Sequence, residues 1–535
     1  MTGIFGTVLL MMAVLAAVAV AARRLNIAPS ILLVVAGVGV ALIPGLPAVS
    51  LAPELVLLVI LPPLIYSAGV SMSWREFRFN LRPIALLAFG CVVFTTCAIA
   101  AAAHYLLHFD WTVGFVLGAI IAPPDTVAPL AIARRLGLPR RLVVVLEGEG
   151  LANDATALIL YRFAVAAAAT GTFAPAEAAG TFALIIVGEI VWGIAVGWAS
   201  LKLRQWAHDP RVEITLSLMT PYVAFWAPEH LGGSGVLATV ACGLWVSWNG
   251  PRLISSATRL QGIFFWDLIV YLIEGFVFLL TGLQARALID NSHAFPLSEI
   301  VAAIAVTTAI AIVARFVWVF PATYLPRWLI PPIARRDPSP AWQLPFFLSF
   351  TGVRGVVSLA AALAIPYVTA SGAAFPHRDM ILFVTFGVII VTLVGQGAIL
   401  PAVARRLGLR QLGEEERRRE TEAELAGRQA ALKRVIDRLE DLVTDRKIPE
   451  DVITLLRTRN ESRQQILPSD LGDGLARLRL SAEIKRDLID AERDFIYQLL
   501  RDGKITDEAR RRIEYELDLE EASVANRGRD GGGWF

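Results

Sequence analysis

Runs of about 20 apolar residues recur from the amino terminus to about residue 404. Each is long enough to cross a hydrocarbon core of roughly 30 Å as a helix. Inside such a core every backbone polar group must be satisfied by the chain itself, which leaves helices as the economical solution for this pattern. The apolar share of 56% and charged share of 18% fit that reading, because charge is concentrated after residue 410. The expected class is therefore an all-α polytopic membrane protein, residues 1–410, followed by a charge-dense helical tail, residues 411–535. A nucleic-acid partner is not indicated, since the arginines of the apolar part sit mostly at span ends instead of forming a basic face. Cys91, Cys97 and Cys242 all fall in apolar runs and read as small buried hydrophobes.

About 13 spans are expected, at roughly 3–22, 27–43, 52–72, 83–106, 111–134, 142–168, 180–202, 212–229, 233–249, 262–284, 297–321, 343–368 and 379–404. The second is short, and the eighth contains Pro221 and Pro228. The connecting segments alternate in charge. One set carries most of the basic residues, from Arg23-Arg24 to Arg405-Arg406; the other carries only Arg286 and Arg378. Positive residues mark the cytoplasmic side, so the amino terminus is expected outside and the tail in the cytoplasm, across the cell membrane. The string ARRLGL occurs at 133–138 and again at 404–409 and reads as two basic helix ends on that side.

Two spans carry interruptions. The fifth contains IIAPPDTVAP, residues 120–129, where Pro123, Pro124 and Pro129 each remove a donor and crowd the preceding turn. Asp125 and Thr126 lie at that break, hard oxygen ligands suited to a small cation; Asp125 also suits the dipole of a half-helix as a cap. The twelfth contains SFTGVRGVVSLA, residues 349–360, with Thr351 and with Arg354 between Gly352 and Gly355. Broken backbone at membrane depth is tolerated where it is buried in protein or lines a wet cavity. The two breaks are seven spans apart and so run in opposite directions. That is the pattern of an inverted repeat with crossed discontinuous helices and a binding site at the crossing.

The sixth span opens with EGEGLANDATALILYRFA, residues 147–164. Asp154 falls near the midplane, level with Asp125 and Arg354, by a rise of about 1.5 Å per residue. Charged groups at that depth are rare and functional. Asp154 is read as a carrier of a cation and a proton, with Asn153 beside it. Glu149, which shares a face with Asn153, is expected to pair with Arg354, and Glu147 to be an entrance or helix-end charge. Glu274 is a weaker intramembrane candidate, Glu189 weaker still. His104 and His108 have helical spacing but no further ligand in view, and no catalytic aspartate pair or HExxH string suggests an enzyme.

These residues resemble the cation:proton antiporter-1 family, the sodium/proton antiporters and sodium/hydrogen exchangers. The resemblance rests on GEGLANDATALILYRFA, the broken fifth span, LPPLIY, FVFLLTGL and TGVRGVVSLA, and extends over roughly residues 5–410. It implies a cofactor-free secondary antiporter serving pH homeostasis, with Asp154 binding sodium and protons in turn, Asn153 bracing the site, and Asp125 and Thr126 in the crossed segment. The metal is then a monovalent cation at Asp154 and Asp125. The family fold is a homodimer in the bilayer whose spans 4–6 and 11–13 form a moving core. This sequence departs from it twice. Pro124-Asp125-Thr126 stands where many members have Thr-Asp-Pro, and Gly150 stands where many have serine. Sodium, potassium and lithium therefore all stay open, as does a non-transporting sensor on the same fold. In the tail, Leu432, Val435, Ile436, Leu439, Leu442 and Val443 form an apolar stripe, and 475–500 and 505–519 are amphipathic. A packing bundle or a regulatory module both fit that pattern.

Overall fold

The computed structural model describes residues 2–25, 27–43, 52–170, 175–291, 295–369, 372–445, 450–466 and 473–528, and they are almost entirely helical. Two compact units result, residues 1–410 and 411–535. The first begins with α1 (Thr2–Leu25), α2 (Pro29–Ala41), α3 (Leu61–Ser71), α4 (Trp74–Phe79), α5 (Leu81–Ala85) and α6 (Val92–Leu107). Short π-helical segments, Leu55–Ile60 and Leu86–Cys91, lead into α3 and α6. It continues with α7 (Trp111–Ile121), α8 (Val127–Leu136), α9 (Arg140–Thr170), α10 (Pro175–Ala207), α11 (Pro210–His230), α12 (Val236–Leu253) and α13 (Ser256–Leu283). Then come α14 (Ala285–Asn291), α15 (Leu297–Leu329), α16 (Pro331–Arg336), α17 (Gln343–Phe350), α18 (Val356–Leu363), α19 (Arg378–Ile390) and α20 (Gly397–Arg406).

These helices lie on the apolar windows of the sequence. Among the described residues, six are long and apolar enough to cross a membrane on their own: those starting at Gly6, Leu81, Gly180, Ser256, Leu297 and Arg378. The other windows fall short for visible reasons. The helix α2 has only 13 residues. Both predicted breaks are present, splitting the fifth and twelfth windows into α7 with α8 and α17 with α18. The helix α9 carries Glu147, Glu149 and Asp154. The eighth window forms one continuous helix, α11, through both Pro221 and Pro228.

Close helix crossings hold this unit together. Without a hydrophobic drive inside lipid, contact comes from packing, and small residues let backbones approach. A side chain added at Gly37 of α2 would lie 2.9 Å from the Gly282 Cα of α13, and one at Gly282 would lie 2.8 Å from the Gly37 Cα. At the π-helical segment Leu86–Cys91, the Leu86 carbonyl accepts the indole N–H of Trp318 at 2.8 Å. That contact fixes α15 against the fourth span. The two ARRLGL strings end helices in the same way: Gly137 and Gly408 take left-handed φ values of 62° and 68°, just beyond the basic last turns of α8 and α20.

The second unit contains α21 (Leu409–Asp445), which starts at the junction, α22 (Glu450–Ile466), α23 (Asp473–Arg501) and α24 (Asp507–Gly528). Of the predicted stripe, Leu432 and Leu439 are buried while Val435 is exposed. The last two helices pair, with Ile489, Ile496, Leu517 and Val524 buried. Arg493 meets Asp518 and Glu521, both at 2.7 Å, and Lys485 meets Glu520 at 2.7 Å. Such exposed ion pairs contribute little, so the apolar seam holds the hairpin.

The α2–α13 crossing yields a direct test. Gly282→Val should destabilise the protein by about 1–3 kcal/mol, because the added methyls meet backbone atoms that cannot move aside. A lowered melting temperature in detergent, against an unchanged Gly39→Ala control at an open position, is the expected result.

Candidate ion site at the crossed helix breaks

A helix that stops inside the bilayer leaves carbonyls at one end and amides at the other without partners. Here the two breaks satisfy each other. The Asp125 amide donates to the Val353 carbonyl at 2.7 Å, joining one unwound segment to the other. The Nε of Arg354 donates to the Ile121 carbonyl at the end of α7, at 2.5 Å, and its Nη1 donates to the Gly352 carbonyl at 2.5 Å. The Arg354 amide is held by the Thr392 hydroxyl at 3.0 Å. Gly355 is required here, because a β-carbon would overlap the Asp125 carboxylate. Asp125 in turn accepts from the Val127 amide at 2.9 Å, so it caps α8 as well as lying at the crossing.

Arg354 therefore does not form the expected pair with Glu149. That partner is Arg315 of α15, a residue the spacing of motifs did not single out. Its Nη1 and Nη2 meet the two Glu149 oxygens at 2.5 Å and 2.7 Å, and the side chains are 2% and 0% exposed. The Nε of Arg315 donates to the Leu348 carbonyl in the last turn of α17, at 2.9 Å. Each half-helix end thus has its own arginine: Arg354 for α7 and Arg315 for α17. The physical reason for the correction is that Arg354 is engaged by carbonyls at the breaks, while Arg315 presents a planar fork to a carboxylate that matches it. A signal was available, since Arg315 lies inside the predicted eleventh span, in AIAIVARFVWVF, where an arginine needs a partner.

The remaining candidates gather on one face of α9. Asn153, fully buried, donates from Nδ2 to the Pro124 carbonyl at 2.6 Å. The acceptor fixes the amide orientation, and Asn153 Oδ1 is left buried without a hydrogen-bond partner in the protein. Asp154 is within electrostatic reach of Asp125. Thr126 Oγ1 sits against Gly150, in the space that a β-carbon at 150 would occupy. The two departures from the family pattern are therefore adjacent in space: Thr126 Oγ1 of the unwound segment fills the room that a side chain at position 150 would need. The two carboxylates, the Asn153 amide oxygen and the Thr126 hydroxyl are hard oxygen donors, the type an alkali cation takes.

The outer candidates divide. Glu274, half-buried on α13, is within electrostatic reach of Asp125 and of Arg134. Glu147 pairs with Arg134 at the end of α8, as a helix-end charge would. Thr351 donates its hydroxyl to the Leu348 carbonyl at 2.8 Å, within its own break. Glu189 is structural. It accepts from the amides of Ser234, Gly235 and Leu237 at 2.6, 3.1 and 3.0 Å, capping α12 from α10. His104 bonds the Phe109 carbonyl at 2.8 Å and stacks on Trp111. Among the described residues no group of three or more His, Cys, Asp or Glu side chains is placed to hold a metal ion.

The profile of the family described as "Sodium/hydrogen exchanger, transmembrane" matches residues 10–406. The chain belongs to this family. Its members are transporters, not enzymes, and work without a cofactor. An uncharacterized Na(+)/H(+) exchanger of Mycobacterium bovis is 33% identical over 97% of this chain and 96% of its own length. The Na(+)/H(+) antiporter ApNhaP of Aphanothece halophytica is 31% identical over 89% of this chain and 88% of its own. The sodium, potassium, lithium and rubidium/H(+) antiporter of Bacillus pumilus is 32% identical over 75% of this chain and 62% of its own. In three dimensions, the sodium proton antiporter MjNhaP1 of Methanocaldococcus jannaschii superposes with a TM-score of 0.60, covering 75% of this chain and 98% of its own, at 17% identity.

Two mutational series test this geometry. Breaking a buried pair by removing one partner typically costs about 3–5 kcal/mol. Glu149→Gln should therefore be strongly destabilising, and a double-mutant cycle should give strong coupling between 149 and 315 and weak coupling between 149 and 354, read by equilibrium unfolding in mixed micelles. In the second series, Gly150→Ser alone should depress ion binding by displacing Thr126, and Thr126→Ala in the same chain should recover most of the loss. Additive losses, measured by cation-dependent thermal shift, would show that the two positions do not share one space.

Proposed function

We propose that the chain is a secondary antiporter that exchanges a monovalent cation, with sodium first, for protons by alternating access, with Asp154 as the shared carrier. The reading is supported by the α9 segment that holds Asp154 within electrostatic reach of Asp125, the unpartnered Asn153 Oδ1, and Gly150 packed on the Thr126 hydroxyl of the broken span. A carboxylate withdrawn from water favours its neutral, protonated form, and a nearby cation favours the charged form. Proton and cation thus compete for one group. Only the loaded, neutralised site crosses an apolar barrier at low cost. One carboxylate exchanging one cation for one proton is electroneutral, with Asp125 serving the crossing as cap and partial ligand. In this reading Asn153 is a ligand, the Glu149–Arg315 pair and Arg354 hold the site's frame, and Glu274 and Glu147 line the approach.

Residues 1–410 are the exchanger domain and residues 411–535 a cytoplasmic helical tail with a regulatory role. The amino terminus lies outside, the protein resides in the cell membrane, and a homodimer is its working form. The alternation of basic segments supports the orientation. Potassium is the second candidate cation. The broad ion range in the name of the Bacillus pumilus relative supports testing it, as does the Thr126 hydroxyl packed against Gly150, where many members have serine.

Proteoliposomes challenged in turn with sodium, lithium and potassium should show proton movement with at least one of them, and an imposed voltage should leave an electroneutral exchange unchanged. Asp154→Asn should abolish the movement while the protein stays folded and monodisperse. Robust cation-driven proton flux in that variant would sink the assignment of Asp154.

A further inference from the structure

A second cluster lies away from the crossed breaks, at the arginine-rich ends of three helices. Arg82 of α5, Arg141 in the first turn of α9 and Arg327 in the last turns of α15 converge on one carboxylate, Asp337, just after α16. The contacts are 2.6 Å for Arg82, 2.8 Å for Arg141 and 2.7 Å for Arg327. Arg327 also bonds the Asp337 and Thr323 carbonyls, and Arg141 donates to Asn80 at 3.2 Å. Among the described residues, Asp337 is the one acidic partner of all three, so three positive charges face one negative charge. The arrangement is also sheltered: the side chains are 26%, 31% and 5% exposed, and Asp337 is 15% exposed.

Like charges gathered out of bulk water repel unless an anion balances them. The three arginines line one cleft together with the apolar side chains of Leu86, Leu142, Val319, Ala322, Leu344 and Leu348. A free anion would use the guanidiniums and leave those apolar side chains without a purpose. An amphiphile uses both. Basic pockets between spans on this side of a membrane suit acidic lipid headgroups.

We infer that this cleft binds one anionic phospholipid, its phosphate on Arg82 and Arg141 and its glycerol and acyl carbons along the wall formed by Leu86, Ala322 and Leu344. The cleft shares Leu348 with the α17 break but none of the proposed ion ligands, and it does not depend on which cation is carried. It ties together α5, α9 and α15, the last two of which contribute Glu149 and Arg315.

The test uses the delipidated full chain in detergent, with native mass spectrometry and melting temperature as readouts. Phosphatidylglycerol, phosphatidylcholine and inorganic phosphate are added separately. With about a fivefold gain for each unbalanced positive charge, phosphatidylglycerol should bind roughly 30-fold more tightly than phosphatidylcholine and raise the melting temperature. Arg82→Gln with Arg141→Gln should remove that preference. Ala322→Trp, which fills the cleft and leaves all three arginines in place, should remove it too, and keeps the test decisive if the arginine variant does not fold. Equal binding of the two lipids, or a preference that survives Ala322→Trp, overturns the site. Inorganic phosphate matching phosphatidylglycerol in both readouts overturns the lipid as its occupant.

Discussion

Everything in the membrane unit depends on how two helices can end inside a bilayer. The breaks between α7 and α8 and between α17 and α18 expose backbone carbonyls and amides where water is scarce. Each such group left unpaired costs more than a typical hydrogen bond contributes. The chain answers with side chains from other spans. Arg354 takes the Ile121 carbonyl, Arg315 the Leu348 carbonyl, Asn153 the Pro124 carbonyl and Gln396 the Phe350 carbonyl, while Asp125 serves the Val127 amide. The polar residues that look functional in the sequence are thus first of all the means by which broken helices exist at this depth. Arg354 serves that role through its Nε and Nη1, whereas Asn153 has an oxygen left over.

Electrostatics then sort the charged groups. Two arginines and a glutamate buried together would be costly unless their geometry is good. The forked contact of Arg315 with both oxygens of Glu149 meets that requirement and neutralises the pair. Arg354 is stabilised differently, by hydrogen bonds to carbonyls at the negative end of a half-helix dipole. With Glu149 so occupied, Asp125 and Asp154, both half-buried, remain carboxylates of the crossing that are not held in an ion pair among the described residues. The proposed exchange of a cation for a proton at Asp154 would need that freedom.

Most of the fold was legible from hydropathy, because bilayer thickness imposes a length and basic residues impose an alternation. The breaks were legible for a local reason: three prolines in ten residues, and glycines flanking an arginine, cannot continue a helix. Pairing was less legible. Sequence position sets the depth of Arg315 and Arg354 but not which one turns toward Glu149, since that depends on how α15 packs against the π-helical turn at Leu86–Cys91. Glu189 shows the opposite error. A lone carboxylate in an apolar span suggested chemistry, yet it caps the start of α12, a tertiary contact 45 residues or more along the chain that no local pattern reveals. The arginine cluster on Asp337 escaped notice because its members come from three separate segments, each ordinary as a basic span end.

The interlocking of Thr126 with Gly150 has a mechanical side. A hydroxyl carried by α9 itself would keep a fixed distance from Asp154, because both would ride on the same rigid rod. Here the hydroxyl belongs to the unwound strand between two half-helices. Its separation from the carboxylate becomes a variable, set by the hinge angle of that strand. If Thr126 and Asp154 share an ion as proposed, the grip on that ion and the shape of the crossing become two readings of one coordinate.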